Sequence, residues 1–154
     1  MSGYAYSFLD VQAAISGPGG NFPLSGDRVG IAQEGISITA TSDKNVMLIG
    51  ADGAAMHSLV ADCSGSITVT LLRTSPANRL LQNLYNLQSK SSAKWGRNTI
   101  TIRDIARGDT VTCQEVAFAK APDKVFAQEG GTIQWTFHAG KIEGQIGSGT
   151  PEIL

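Results

Sequence analysis

A mainly β domain, a small sandwich or barrel carrying one short amphipathic helix, is what this sequence predicts, and three observations predict it. The 154 residues include 18 glycines, well above the average share of ~7%, and so many glycines imply frequent turns. Stretches rich in Ser, Thr and β-branched residues alternate apolar and polar side chains with a period of two, the pattern of half-buried strands. One stretch alone, beginning at Ser75, changes to helical spacing.

The first strand is expected over Tyr4 to Ser16, with Leu9, Val11, Ala13 and Ile15 on one face and Asp10, Gln12 and Ala14 on the other. Gly17-Pro18-Gly19-Gly20 breaks it, and a loop runs through Pro23 and Gly26 to Asp27. A second β region holds Val29 and Ile31, then Ile36, Ile38 and Ala40 alternating against Ser37, Thr39 and Thr41, with Gly35 marking a bulge or bend. Ser42 to Gly65 is less regular: a turn at Asp43-Lys44-Asn45, the apolar run Val46-Met47-Leu48-Ile49, then the small residues Gly50 to Ala55. Connections in compact domains are mostly ~4–6 residues. This stretch is therefore either an extended loop or hairpin that reaches a partner, or two ordinary short strands, Val46–Ile49 and Met56–Val60, joined by a tight turn.

Ser66 to Leu72 is a dense β-branched strand suited to a central position. Ser75 is a good N-cap and Pro76 fits the first helical position, where its missing N–H costs nothing. Leu80, Leu81, Leu84, Leu87 and Gln88 then form a stripe that must lie on the sheet. Thr99 to Ile105 and Thr110 to Ala119 read as a hairpin turned by Arg107-Gly108-Asp109. In its second arm Val111 and Cys113 share one parity while Val116 and Phe118 share the other, which places a bulge at Gln114-Glu115. After a loop beginning at Pro122, Thr132 to Ala139 is the last strand, and the Gly-rich tail from 144 to 154 is expected to be mobile unless a neighbour holds it. A single domain over 1–154 is the default for this length.

Charge is scarce, with 16% of residues against a typical ~25%, and the net charge is −1. A weakly charged surface suits either an ordinary Ser/Thr-rich β protein or one whose faces meet copies of itself. The distribution is uneven: residues 1–72 carry two bases and six acids, 73–107 carry seven bases against Asp104, and 108–154 carry three bases and six acids. The basic segment could hold phosphates or meet acidic parts of the same or a neighbouring subunit, and a near-zero total favours the second.

Chemistry is sparse. The two histidines, His57 and His138, sit in no catalytic arrangement, and Ser58 beside His57 on a strand would point to the opposite face. Gly17–Gly20 lacks the phosphate-loop pattern, Cys63 and Cys113 lack zinc or redox spacing and read as reduced core residues, and the aspartates form no Ca²⁺ loop. No catalytic residue, metal or cofactor is expected. Lys90, Lys94, Trp95 and Arg97 place an aromatic ring among bases, as single-strand binders do, but the pI near 6.1 argues against a dedicated nucleic-acid binder. Nothing at the N-terminus reads as an export signal and no apolar run approaches the ~18 residues of a membrane span, so a soluble protein made in the cytoplasm is expected.

The order of these elements, with Ser66-Ile67-Thr68-Val69-Thr70-Leu71-Leu72 running into Thr74-Ser75-Pro76-Ala77-Asn78-Arg79-Leu80-Leu81 and with Gly130-Gly131-Thr132-Ile133-Gln134-Trp135-Thr136-Phe137 near the end, resembles the tail tube proteins of contractile-tailed, Mu-like and related phages, a fold shared with the type VI secretion tube protein. The resemblance spans nearly the whole chain and rests on packing motifs. It implies a structural virion protein rather than an enzyme: hexameric rings, stacked into a tube in the host cytoplasm around a channel for DNA, with sheath, tape-measure and baseplate proteins as partners. It further implies that Asp43, Lys44, Asn45, Val46, Met47, Leu48 and Ile49 stack ring on ring. Lumen-facing positions, Asp10 and Gln12 among them, should then be neutral or acidic so that DNA does not stick, with the bases of 73–107 mainly outside. A tail terminator or baseplate component of the same fold, and a small nucleic-acid-binding β-barrel, are the alternatives.

Overall fold

A computed structural model describes residues 6–25 and 31–147. Among these described residues, nine strands and one α-helix follow in order: β1 (Val11–Gly17), β2 (Gly20–Pro23), β3 (Ile31–Ala40), β4 (Asn45–Ile49), β5 (Ala55–Leu59), β6 (Gly65–Leu72), α1 (Pro76–Gln88), β7 (Asn98–Asp104), β8 (Asp109–Phe118) and β9 (Thr132–Gln145). Seven strands make one antiparallel sheet in the order β2-β1-β7-β8-β9-β6-β3, and β4 with β5 makes a separate two-stranded sheet. The chain is mainly β with one short helix, as its glycines and alternating runs predict.

One face of the large sheet carries the core. Ile15, Ile100 and Cys113 lie in register across β1, β7 and β8, and Phe118, Phe137 and Ile67 across β8, β9 and β6. All six are at most 2% exposed and belong to one apolar cluster with Leu81 and Leu84 of α1. Strands sit ~4.8 Å apart, so seven of them laid flat would span about 29 Å. A helix is only ~10–12 Å across. One 13-residue helix nevertheless shares a single apolar cluster with Ile15 near one edge of the sheet and Leu71 near the other.

The helix begins as its sequence dictates. The Ser75 hydroxyl accepts from the Ala77 N–H at 3.2 Å and Pro76 occupies the first turn. Its buried face is Ala77, Leu81, Leu84 and Gln88, while Leu80 and Leu87, expected on the same stripe, are 44% and 38% exposed. A 100° step per residue puts 80 and 87 at the flank of a face centred on 77, 81, 84 and 88. Two polar pairs fix the helix at its ends. The Trp135 indole N–H donates to Asn78 Oδ1 at 3.0 Å, and Asn78 Nδ2 donates to the Leu72 carbonyl at 2.9 Å. At the far end the Gln88 and Asn98 amides, both fully buried, exchange hydrogen bonds of 2.7 and 2.8 Å, and Gln88 Nε2 also reaches the Pro18 carbonyl at 3.1 Å.

Several boundaries differ from the sequence reading. The first strand starts at Val11, after a 3₁₀ turn over Phe8–Asp10 that ties to the far end of β7 through Ile105 N–H and the Asp10 carbonyl at 3.1 Å. Gly17 to Gly20 closes as a two-residue turn: Gly19, at φ 106°, lets the chain reverse into β2, where a loop was expected. The last strand runs six residues past Ala139 to Gln145, paired throughout with β8, so positions 144 and 145 of the expected tail are sheet. Both irregularities are where they were expected. Gly35, at φ 64°, lies in the register shift between β3 and β6, and Glu115, at φ 54°, lies in the shift between β7 and β8. The expected start of the first strand at Tyr4, the loop through Gly26 and Asp27, Val29, and the tail from 148 to 154 lie outside the described residues.

Candidate functional site

Two surfaces stand out once the core is accounted for. The first is the β4–β5 hairpin, which closes with Asn45 opposite Leu59, Met47 opposite His57 and Ile49 opposite Ala55. A small turn joins the strands: Gly50 N–H donates to the Ala54 carbonyl at 2.8 Å, Gly53 takes φ 85°, and Asp52 Oδ1 accepts the Ala54 N–H at 3.1 Å. The stretch from 42 to 65, left open as a reaching hairpin or as two ordinary strands, is a hairpin of short strands whose residues are all exposed.

Its composition is that of a buried element. Val46, Met47, Leu48, Ile49 and Met56 are 52–63% exposed and Leu59 is 86% exposed. Successive residues point to opposite faces, so both faces are apolar. A lone two-stranded hairpin is marginal in water, and exposed apolar patches of this kind mark interaction surfaces.

The base of the hairpin is tied by polar groups. Lys44 Nζ donates to the Val60 carbonyl at 2.8 Å, to the Asp62 carbonyl at 3.3 Å and to Cys63 Sγ at 3.3 Å. Asp62 accepts from the Ser64 hydroxyl at 2.6 Å, the Ser64 N–H at 2.8 Å and the Ser42 hydroxyl at 2.9 Å. The two Ser64 hydrogen bonds, then that of Ser42, hold the Asp62 carboxyl below the usual carboxylate range. Cys63, expected in the core, is exposed here, because it lies past the hairpin in the irregular link before β6. Cys113 is buried as expected, and desolvation pushes its thiol up to about 11.

The second surface is the outer face of the large sheet. Its rows are hydroxyls and amides: Ser16 beside Thr99, Ala14 beside Thr101 and Thr112, and Ser37, Thr68 and Thr136 in line. The charges among them are few. Lys141 and Glu143 pair at 2.9 Å, which raises the Lys141 pKa, and Arg103 lies directly across from Gln12. Gln12 is exposed on this face, whereas Asp10 is half-buried in the 3₁₀ turn.

The remaining sequence candidates are dispersed. Trp95, 37% exposed, packs edge-on against Tyr85 at 6.1 Å and tilted against Phe118 at 6.3 Å, so its ring rests on the helix side of the core. His57 is in the hairpin, with Nδ1 3.2 Å from Asn45 Nδ2, and His138 is on the outer face of β9. Among the described residues no group of three or more His, Cys, Asp or Glu could hold a metal, and no helix is long and apolar enough to cross a membrane. Sequence reasoning missed the loop before β9, where Phe126 is 85% and Val125 68% exposed and the Arg73 guanidinium lies 4.5 Å over the Phe126 ring. No periodicity surrounds them. The only available signal was two bulky apolar residues in a polar loop.

The family described as Bacteriophage PhiTE tail tube protein matches residues 1–147. Solved structures similar in fold include a chain of an extracellular contractile injection system, the PVC sheath-tube complex in the extended state, at 14% identity, TM-score 0.56 and 88% coverage of each chain. The tube-terminating cap of the anti-feeding prophage is similar at 11% identity and TM-score 0.59, covering 95% of this chain and 94% of that one. The PVC sheath/tube terminator in the extended state follows at 13% identity and TM-score 0.53, covering 87% and 93%. No curated protein matches the chain. The family and the fold are those of structural tube proteins and not of enzymes.

Proposed function

Since the chain belongs to the Bacteriophage PhiTE tail tube protein family, and so has a structural tail-tube role as a virion component, we propose that it is the repeating subunit of that tube. Six copies close into a ring, rings stack, and DNA passes along the channel. The single observation that carries this reading is the β4–β5 hairpin, whose residues are all exposed and apolar on both faces. Such an element gains nothing by standing in water and gains ~25 cal/mol for each Å² of apolar surface that a neighbour covers.

In this reading Asn45, Val46, Met47, Leu48 and Ile49 stack one ring on the next, with Asp43 and Lys44 at the hairpin base. The outer edge of β3 at one side of the sheet, and β2 at the other, are the edges through which sheets of neighbouring subunits would continue around the ring. The hydroxyl and amide rows of the outer sheet face, Gln12 included, suit a channel that polyanionic DNA crosses without adhering, whereas Arg103, directly across from Gln12, is a base of the 73–107 segment on that same face and runs against it. Asp10 would sit at the rim of that face. Sheath, tape-measure and baseplate proteins are the expected partners, and assembly is expected in the host cytoplasm.

Electron microscopy of the purified full-length protein tests the reading. Stacked rings with six-fold symmetry are expected. Isolated rings that never stack would mark a tail terminator instead, and a strictly monomeric protein at high concentration would overturn the proposal.

A further inference from the structure

We infer that a cationic pocket at the start of α1 is the receptor for the hairpin turn of a second copy, with the Asp52 carboxylate as its ligand. The inference rests on the tube-subunit reading and specifies the contact that joins successive rings.

Topology places the two surfaces at opposite ends of the domain. The hairpin feeds into β6 at Gly65, and Arg73 and α1 leave β6 beyond Leu72. Leu72 is in register with Thr132, and Arg73 N–H donates to the Gly131 carbonyl at 3.3 Å, so the loop preceding β9 sits at that same far end. Seven strand steps of ~3.3–3.4 Å separate the two ends by roughly 23 Å. A copy displaced along the strand direction therefore brings its hairpin to this pocket. The contact is head-to-tail, using different surfaces on the two partners, and so it propagates.

The chemistry matches. The pocket, about 250 Å³, is lined by Arg73, Arg79 and Lys124 and by no carboxylate. Arg79 and Lys124 form no ion pair among the described residues. Gln82 Oε1 is buried and, among the described residues, has no hydrogen-bond partner, an arrangement that is costly unless a donor arrives. A peptide turn bearing a carboxylate answers both needs: its acid meets the guanidinium and ammonium groups, and a backbone N–H reaches the amide oxygen. The hairpin turn is such a segment. Asp52 is its sole charge between Ala51 and Ala54 and carries one hydrogen bond, from the Ala54 N–H to Oδ1, whereas Asp62 is engaged by three from Ser42 and Ser64 at the hairpin base. Phe126 and Val125, exposed beside the pocket, supply an apolar platform for the flanks of the hairpin.

Charge exchange tests the contact in the full-length protein. D52K and the double variant R79E/K124E are each expected to raise the subunit concentration needed for tube growth at least about tenfold, the effect of losing one charge-assisted contact, while single rings still form. D52N, which keeps an oxygen to cap the Ala54 N–H, separates loss of charge from loss of the turn and should weaken growth in the same direction. The triple variant D52K/R79E/K124E should restore it. Tubes that form equally well from every variant, or defects that the triple variant does not relieve, overturn the pocket while leaving the tube subunit standing. A wild-type protein that forms neither rings nor tubes overturns the tube reading itself. Salt-dependent DNA binding that R79E/K124E abolishes without altering tube growth gives the pocket to nucleic acid and also overturns the inference.

Discussion

Glu115 on β8 faces Gly140 on β9, and it can do so because Gly140 has no side chain. A Cβ at 140 would lie 3.0 Å from Glu115 Cβ and 2.5 Å from its Oε2. Glu115 is held at φ 54°, a left-handed conformation that costs a non-glycine residue ~1–2 kcal/mol. On either side of this point both strands change face together, from Cys113 to Val116 and from Ala139 to Ile142, while their mutual register stays unbroken. Gly140→Ala should therefore destabilise the protein by about 1–2 kcal/mol through overpacking. In a Glu115→Gly background that cost should largely vanish. Urea unfolding of the four proteins gives the coupling, and strict additivity would refute the account.

The Gln88–Asn98 amide pair is expected to behave as a unit. Removing either partner alone, as in Gln88→Ala or Asn98→Ala, strands a buried amide and should cost about 2–3 kcal/mol. Replacing both with leucine should cost less than either single change, because no polar group is then left unpaired. Chemical denaturation resolves the ranking. Gly17→Ala belongs to the same site, since a Cβ there would run into the Asn98 amide, and it should be as damaging as losing the pair.

Much of this fold was legible beforehand, for local reasons. Alternation at Ile67, Val69 and Leu71, the Ser75-Pro76 cap, and the parity slip between Cys113 and Val116 are all written within a few residues of one another. What escaped was set by distant partners. Asn98 fell outside the strand expected from Thr99, and its match, Gln88, is ten positions away on another element. The last strand extends to Gln145 because β8 offers it an edge as far as Thr110, a fact no pattern in Gly140–Gln145 declares. The hairpin was visible as an unexplained apolar run, but Cys63 was misplaced in the core, since burial depends on where a link happens to lie. The pocket of Arg73, Arg79 and Lys124 draws on three separate segments and had no signature at all.

Substitutions in the hairpin should separate folding from assembly. Leu48→Asp, at a position 63% exposed, is expected to change unfolding free energy by no more than about 0.5 kcal/mol. The same change should remove high-order assemblies in sedimentation. A large loss of monomer stability would mean that the hairpin packs on its own subunit.

The two cysteines should differ sharply in native protein. Cys63 is expected to react with an aromatic disulfide reagent while Cys113 stays protected until unfolding. Burial raises the Cys113 thiol from 9.0 to about 11. The unfolded chain thus loses this proton at lower pH than the native one, so the contribution is intact below about pH 9 and fades as pH rises towards 11. Cys113→Ala should flatten that alkaline limb in pH-dependent unfolding.

Asp62 behaves in the opposite sense. Its folded-state pKa lies below the ordinary 3.8, so its hold on Ser42 and Ser64 is complete above that value and is lost as pH falls through the lower folded one. Hydrogen exchange at the Ser64 amide should quicken under those acid conditions and not in the neutral range. In Asp62→Asn the acid dependence should be absent.

Gly65 is buried where the hairpin joins the sheet, so close to the Thr39 carbonyl and the Ile142 side chain that no Cβ fits. Beyond this elbow, the strands from Asn45 to Leu59 contribute nothing to the interior of their own subunit. On the proposed stacking, sequence drift in the arm would spare the fold and be felt where copies meet. On that reading a lineage would rewrite which siblings it accepts while its core stays the same, and two such tubes would share an architecture yet refuse to mix.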